Sequence, residues 1–166
     1  MDATSESLLD SLMETARELR HKLGDYRDQI DRERRLPDAL VDAMREAGLF
    51  GLWLPKALGG AELGLVDFVR VIEKFAEADG SIGWCATIGA GYGRLAGSLR
   101  EDDVAREIFG SGRAIIAGTI TPTGKAIAVE GGYRITGRWS YGSFIEHSDW
   151  VLGKLCRRGR SFIGRG

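Results

Sequence analysis

Residues 114–150, AIIAGTITPTGKAIAVEGGYRITGRWSYGSFIEHSDW, constrain this chain most, because no other stretch reads convincingly as β-sheet. An apolar run over 114–117 breaks at Thr121-Pro122-Thr123-Gly124, where proline presets the turn's φ and glycine tolerates a positive one. A second run over 126–129 meets Glu130-Gly131-Gly132-Tyr133, and a Gly-Gly pair between strand-like runs signals a hairpin. The return strand alternates. Tyr133, Ile135 and Trp139 fall on one face, with Arg134, Thr136 and Arg138 on the other. Aromatic groups on one face and small hydroxyls in the adjacent turns suit the floor of a site for a flat heterocycle.

Everything upstream reads as helices that cover that floor. Leu8, Leu9, Leu12, Met13, Ala16, Leu19 and Leu23 recur at helical spacing. The mixed-sign run over 25–35 reads as a solvated face that continues or frays this helix. A second helix over 37–47 begins at Pro37 with an acid in its first turn. It carries the stripe Leu40, Val41, Met44 and Ala47 and stops at Gly48. Residues 50–55 read as extended. A third helix over 66–78 should turn Val69, Ile72 and Ala76 inward, Ser81 should cap a fourth, and a fifth spans 101–109.

The fourth helix contains Gly83, Gly89, Gly91, Gly93 and Gly97, each costing an exposed helix up to ~1 kcal/mol relative to alanine. Close packing is one reason for such a run, and a dinucleotide loop is another. Gly91-Tyr92-Gly93-Arg94-Leu95-Ala96 does match G-x-G-x-x-A. The apolar stretch before it is too short for a central strand, and no acid follows where a ribose partner belongs, so the dinucleotide reading fails. His147-Ser148-Asp149 is not a nucleophilic triad either. In a strand His147 and Asp149 share one face and Ser148 the other, so His147 reads as structural.

With 166 residues and 43% hydrophobic content the chain can bury a real core. Its net charge of −1 carries no nucleic-acid footprint. Cys85 and Cys156 have no CxxC or Cys/His partner, so neither a disulfide framework nor a metal site is expected. No apolar run approaches the ~20 residues of a membrane span, and a cytoplasmic protein is the default.

Five helices, a TP turn, GGYRITGRW and HSDW together resemble the acyl-CoA dehydrogenase superfamily over residues 36–153. Ala78-Asp79-Gly80-Ser81-Ile82-Gly83-Trp84 and Gly137-Arg138-Trp139 look most like its flavin-dependent monooxygenase branch, which hydroxylates aromatic compounds with reduced flavin and oxygen. The resemblance implies FAD or FMN, supplied in reduced form by a separate reductase, with an aromatic small molecule as substrate and homo-oligomeric assembly. It implies that Trp139 walls the flavin ring and that Ser143 lies near flavin N5 as the catalytic residue. Thr119, Thr121 and Ser140 would contact the flavin or substrate edge, and Trp84 and Tyr92 would wall the substrate pocket. Two departures stand out. Tyr92 occupies a place where related hydroxylases often carry histidine, and Phe144 follows Ser143 where glycine is usual. Without the resemblance, Trp84 and Trp139 would read as core aromatics.

The expected fold is α+β: an all-helical domain over 1–113, an incomplete antiparallel β-domain over 114–156, and an irregular basic tail over 157–166. The strands and helical bundle that the resemblance implies beyond this point are replaced by an arginine-rich tail, as in a truncated or frameshifted product. Three functions follow: the oxygenase itself, an acyl-CoA dehydrogenase acting on thioesters, or a non-catalytic helical interaction module.

Overall fold

The structure, a computed structural model, describes residues 3–98, 102–110, 113–157 and 160–164. Helix α1 (Ala3–Leu23) buries Leu12, Ala16, Leu19 and Leu23, an i, i+4, i+7, i+11 stripe. The charged run does not simply continue it. A 3-10 turn (Gly24–Tyr26) intervenes, and α2 (Arg27–Glu33) follows, anchored by Ile30 and closed by Arg34 in the left-handed region at φ 57°. Helix α3 (Asp38–Glu46) buries Leu40, Val41 and Met44 as expected. Gly48 ends it at φ 75°, a conformation that costs glycine little and other residues more.

Residues 49–51 form a 3-10 turn rather than an extended segment. The tight turn buries the adjacent Leu49 and Phe50 together, ahead of Leu52 and Leu54, whereas a strand with one buried face would send two neighbours to opposite sides. Helix α4 (Leu65–Ala76) is rotated from its expected phase. Phe68, Val71 and Phe75 are buried while Val69 is 52% exposed, because the two phenylalanines remove more apolar surface from water than Val69 and Ala76 would. Helix α5 (Gly80–Gly97) is capped by Asp79, not Ser81. The Asp79 carboxylate accepts from the Ser81 and Ile82 N–H groups at 2.8 and 3.3 Å.

Helix α5 is the axis of the molecule, touching α4, the 49–51 turn, α6 (Asp102–Phe109) and the sheet. Its buried face is made of Ile82, Gly83, Ala86, Gly89, Ala90, Gly93 and Ala96. A Cβ at Gly83 would lie 2.5 Å from Ala76 Cβ, and one at Gly89 would lie 2.5 Å from Phe50 Cδ1. Close packing, not a nucleotide loop, therefore accounts for Gly83 and Gly89, whereas a Cβ at Gly91 would meet open space.

The sheet is mixed rather than wholly antiparallel, with order β2-β1-β3-β4. Strand β1 (Ile116–Val129) pairs antiparallel with β2 (Gly132–Thr136) through the Gly131-Gly132 hairpin. It pairs parallel with β3 (Trp150–Arg157). The physical reason lies at the entry to β3. Asp149 and Trp150 N–H both reach Ile115 O, and the Asp149 carboxylate accepts the Ile115 N–H, so β3 starts beside the start of β1. The 137–149 connection gives the crossover of about a dozen residues that parallel pairing requires. The basic tail was expected to be irregular, but its residues Arg160–Gly164 form β4, antiparallel to β3.

Candidate functional site

Strand β1 does not break at the TPTG segment. It bulges there, with its register against β3 jumping between Thr119↔Gly153 and Gly124↔Leu155. Trp139 lies against that bulge. A Cβ at Gly124 would fall 2.2 Å from Trp139 Cζ2, and one at Gly153 would meet the indole at 3.4 Å. The indole Nε1–H donates to Lys154 O at 2.9 Å, which fixes the ring's rotation. Gly124, Ala126 and Ala128 share a face by alternation, and Ile135 and Tyr133 pair opposite Ala126 and Ala128. Trp139 therefore stands on the face that carries Tyr133 and Ile135, as the alternation predicts.

Thr119 is buried at 9% exposure and pairs in register with Gly153 beneath the indole. Among the described residues its hydroxyl has only a long contact, donating to Thr121 O at 3.5 Å. Thr121 and Ser140 are exposed and Ser143 is half-buried. Thr123 Oγ1 donates to Arg138 O at 2.9 Å and ties the bulge to the segment before Trp139.

Phe144 occupies the left-handed region at φ 66°, a conformation that favours glycine. Its ring is buried 5.5 Å from Phe50 and 5.3 Å from His147, beside Gly89. Packing against α5 holds the strained backbone in place and positions Ser143 from its C-terminal side.

Trp84, Ile88, Gly91 and Leu95 form one stripe of α5, with Tyr92 at its edge. Trp84 is 57% exposed and Leu95 40%, so this stripe is an open apolar wall. Tyr92 packs on the smaller core around Leu54, Ala96 and Ile108, and burial pushes its phenol up from the ordinary value. At neutral pH its hydroxyl is protonated and able to donate. The structure thus gathers Thr119 and Trp139 at the bulge and sets Trp84 and Tyr92 on one helix. Ser143 stands on the loop that Phe144 pins to that helix.

Sequence reasoning missed the glycine pair under Trp139. The only available signal was that Gly124 and Gly153 interrupt otherwise strand-like runs. It also missed the Arg35–Asp38–His147 group, since these residues lie on different elements. Asp38 Oδ1 accepts from Arg35 Nη2 and lies 3.4 Å from His147 Nδ1. Burial, then the Arg35 charge, lower the His147 pKa, against the opposing pull of Asp38 and Glu146. Among the described residues no group of three or more His, Cys, Asp or Glu side chains could hold a metal ion, and no helix is long and apolar enough to cross a membrane.

The chain is similar to several known proteins. Indole-3-acetate monooxygenase of Pseudomonas putida is 37% identical over 147 residues, covering 88% of this chain and 35% of that protein. The oxygenase subunit HsaA, a flavin-dependent monooxygenase of Rhodococcus jostii, is 31% identical over 92% of this chain and 38% of its own length. The solved structure of XiaF from Streptomyces sp., in complex with FADH2 and glycerol, superposes with a TM-score of 0.86 at 28% identity. That match covers 98% of this chain and 43% of XiaF. This chain thus spans little more than a third of the length of the curated relatives it matches. Residues 7–98 match the family described as Acyl-CoA dehydrogenase, N-terminal domain. With that match lying on the helices that pack around α5, the chain belongs to the acyl-CoA dehydrogenase N-terminal-domain family.

Proposed function

We propose that this chain supplies the helical half and the inner sheet of a flavin site, in a cytoplasmic oxygenase that hydroxylates an aromatic small molecule. The observation that carries this reading is Trp139, seated on Gly124 and Gly153 and locked through Nε1 to Lys154 O. A flat ring needs a flat, rigid neighbour, and this indole has lost its freedom before any ligand arrives.

The residues present fit a flavin. Among the described residues the hydroxyls of Thr121, Ser140 and Ser143 make no hydrogen bond, and Thr119 makes only its long one. They are free to meet the polar edge of a heterocycle beside Trp139. Bound reduced flavin would supply the electrons that activate oxygen. Trp139 would wall the ring and exclude water, Ser143 would donate a hydrogen bond to it, and Thr119, Thr121 and Ser140 would hold its polar edge. Trp84 forms an apolar substrate wall, and Tyr92 donates to a substrate oxygen, since a raised phenol pKa makes it a donor rather than a base. The FADH2 in the XiaF complex favours FAD over FMN, and the words "oxygenase subunit" in the HsaA name support a separate reductase as partner.

Single-turnover mixing of pre-reduced flavin, oxygen and a panel of phenols tests the reaction. Hydroxylated product supports the oxygenase. Flavin bleaching by an acyl-CoA under argon, without hydroxylation, would replace it with thioester dehydrogenation.

A further inference from the structure

Side chains alone fasten residues 142–148 to the helices. Among the described residues, the backbone hydrogen bonds of this stretch stay within it: Ile145 N–H to Gly142 O, His147 N–H to Phe144 O and Ser148 N–H to Ile145 O. Two rings make the attachment. Phe144 is buried against Phe50 and Gly89 on strained left-handed backbone. His147 lies 5.3 Å from the Phe144 ring, with Nδ1 3.4 Å from Asp38 Oδ1. On either side the chain is tied independently of both rings, by Trp139 Nε1–H to Lys154 O and by Asp149 to Ile115.

The seat of His147 suits a neutral ring. Its side chain is 7% exposed, and among the described residues Nε2 is buried with no hydrogen-bond partner. A neutral imidazole can leave one nitrogen as a bare acceptor, whereas the imidazolium carries a donor on both. An unmet N–H on a buried cation is costly. The charges that act on the ring are Arg35, Asp38 and Glu146, and Arg34 and the Cys85 thiol line the same cavity. Burial and Arg35 disfavour the charged ring and outweigh Asp38, Glu146 and the Leu36 backbone, which favour it. Asp38 is a weak counter-charge because its side chain is 74% exposed and already binds Arg35. A cavity of about 280 Å³ borders the ring, walled in part by Gly142, Phe144, Ile145 and Glu146 of the same stretch. A charged ring that moved into it could give both N–H groups to water and Glu146.

We propose that His147 is a proton-operated latch on residues 142–148, whose protonation moves the ring from its seat by Asp38 into the cavity and frees Phe144, and Ser143 with it, from α5. The sheet stays closed, since the bonds at Trp139 and Asp149 do not involve the ring. No ligand enters the inference, so it does not rest on the flavin reading.

A pH series of backbone amide and imidazole 15N spectra of the full chain reads the latch directly, because His21 and His147 are the only histidines. As His147 takes up its proton, below pH 6.5, the Ser143 and Phe144 amides should shift or broaden with the same midpoint, while those of Ile115 and Leu152 hold still. Arg35→Gln removes a repelling charge and should raise that midpoint, and His147→Gln should abolish the transition at Ser143 and Phe144. The proposal is overturned if these two amides stay put while His147 titrates, or if their transition survives His147→Gln. A midpoint that Arg35→Gln leaves in place or lowers overturns it as well. So does equal movement of Ile115 and Leu152, or unfolding of the whole chain before His147 is protonated.

Discussion

Arg45 Nη1 and Asp149 Oδ2 lie 2.9 Å apart across 104 residues of sequence, and the same carboxylate oxygen accepts the Ile115 N–H at 2.8 Å. One carboxylate thus binds α3 to the points where β1 and β3 begin. Arg45 Nη1 also reaches Arg113 O at 3.4 Å. The pair is partly exposed, at 26% and 42%, so its value lies in fixing the sheet's entry more than in Coulomb energy.

Asp149→Ala should therefore destabilise the chain by about 1–3 kcal/mol, since it also leaves the Ile115 N–H without its acceptor. Arg45→Ala should cost less, about 1 kcal/mol. Urea midpoints of the two variants, compared with the unmodified chain, check the order. Equal losses would mean the ion pair, not the backbone bond, dominates.

The glycines under Trp139 should respond unequally. A Cβ at Gly124 would fall 2.2 Å from the indole and 2.6 Å from Leu155 Cδ2, whereas one at Gly153 makes ordinary contact from 3.4 Å. Gly124→Ala should displace the indole and cost about 1–3 kcal/mol, with Gly153→Ala close to neutral. Tryptophan emission and thermal melts of the two variants measure this. Similar behaviour would place Trp139 elsewhere.

Cys85 should be a slow thiol. Burial, then the nearby Asp79 charge, push it from 9.0 to about 11, which lowers the thiolate fraction at neutral pH about a hundredfold. With Cys156 changed to serine, labelling by iodoacetamide should lag free cysteine by that order. Labelling at the free-thiol rate would show that the α5 face opens readily.

His147 sets a pH dependence. Its folded pKa lies below the unfolded value of 6.5, so below that pH the unfolded chain binds the extra proton first. Stability from the neutral ring is present above 6.5 and is lost as pH falls through the folded pKa. Arg35, Asp38 and Glu146 are the charges that face the ring. In His147→Gln the acid-side loss should flatten over that window. An unchanged slope would assign it to other groups.

Local chemistry made α3, its Gly48 stop and the α5 glycine packing legible, because stripes and glycine steps are short-range signals. The phase of α4 was not, since Val69 and Phe68 are both apolar and only the packing of Phe68 and Phe75 decides between them. The parallel β1–β3 pairing was hidden because it depends on Asp149 meeting Ile115, a contact with no local signature. At the site, Trp139's face followed from alternation. What supports the ring, Gly124 and Gly153, became visible only when the bulge brought two strands together.

The claim that Trp139 walls a flavin site is tested by titrating FAD into the chain and its Trp139→Ala variant. The described residues supply one wall for the ring and leave much of it in water, so binding by the 166-residue chain should be weak, above the micromolar range, yet saturable. Loss of the indole should weaken it about tenfold, and Trp139→Phe, which keeps a ring but not the bond to Lys154 O, should fall between. Equal affinity in all three proteins would contradict the claim.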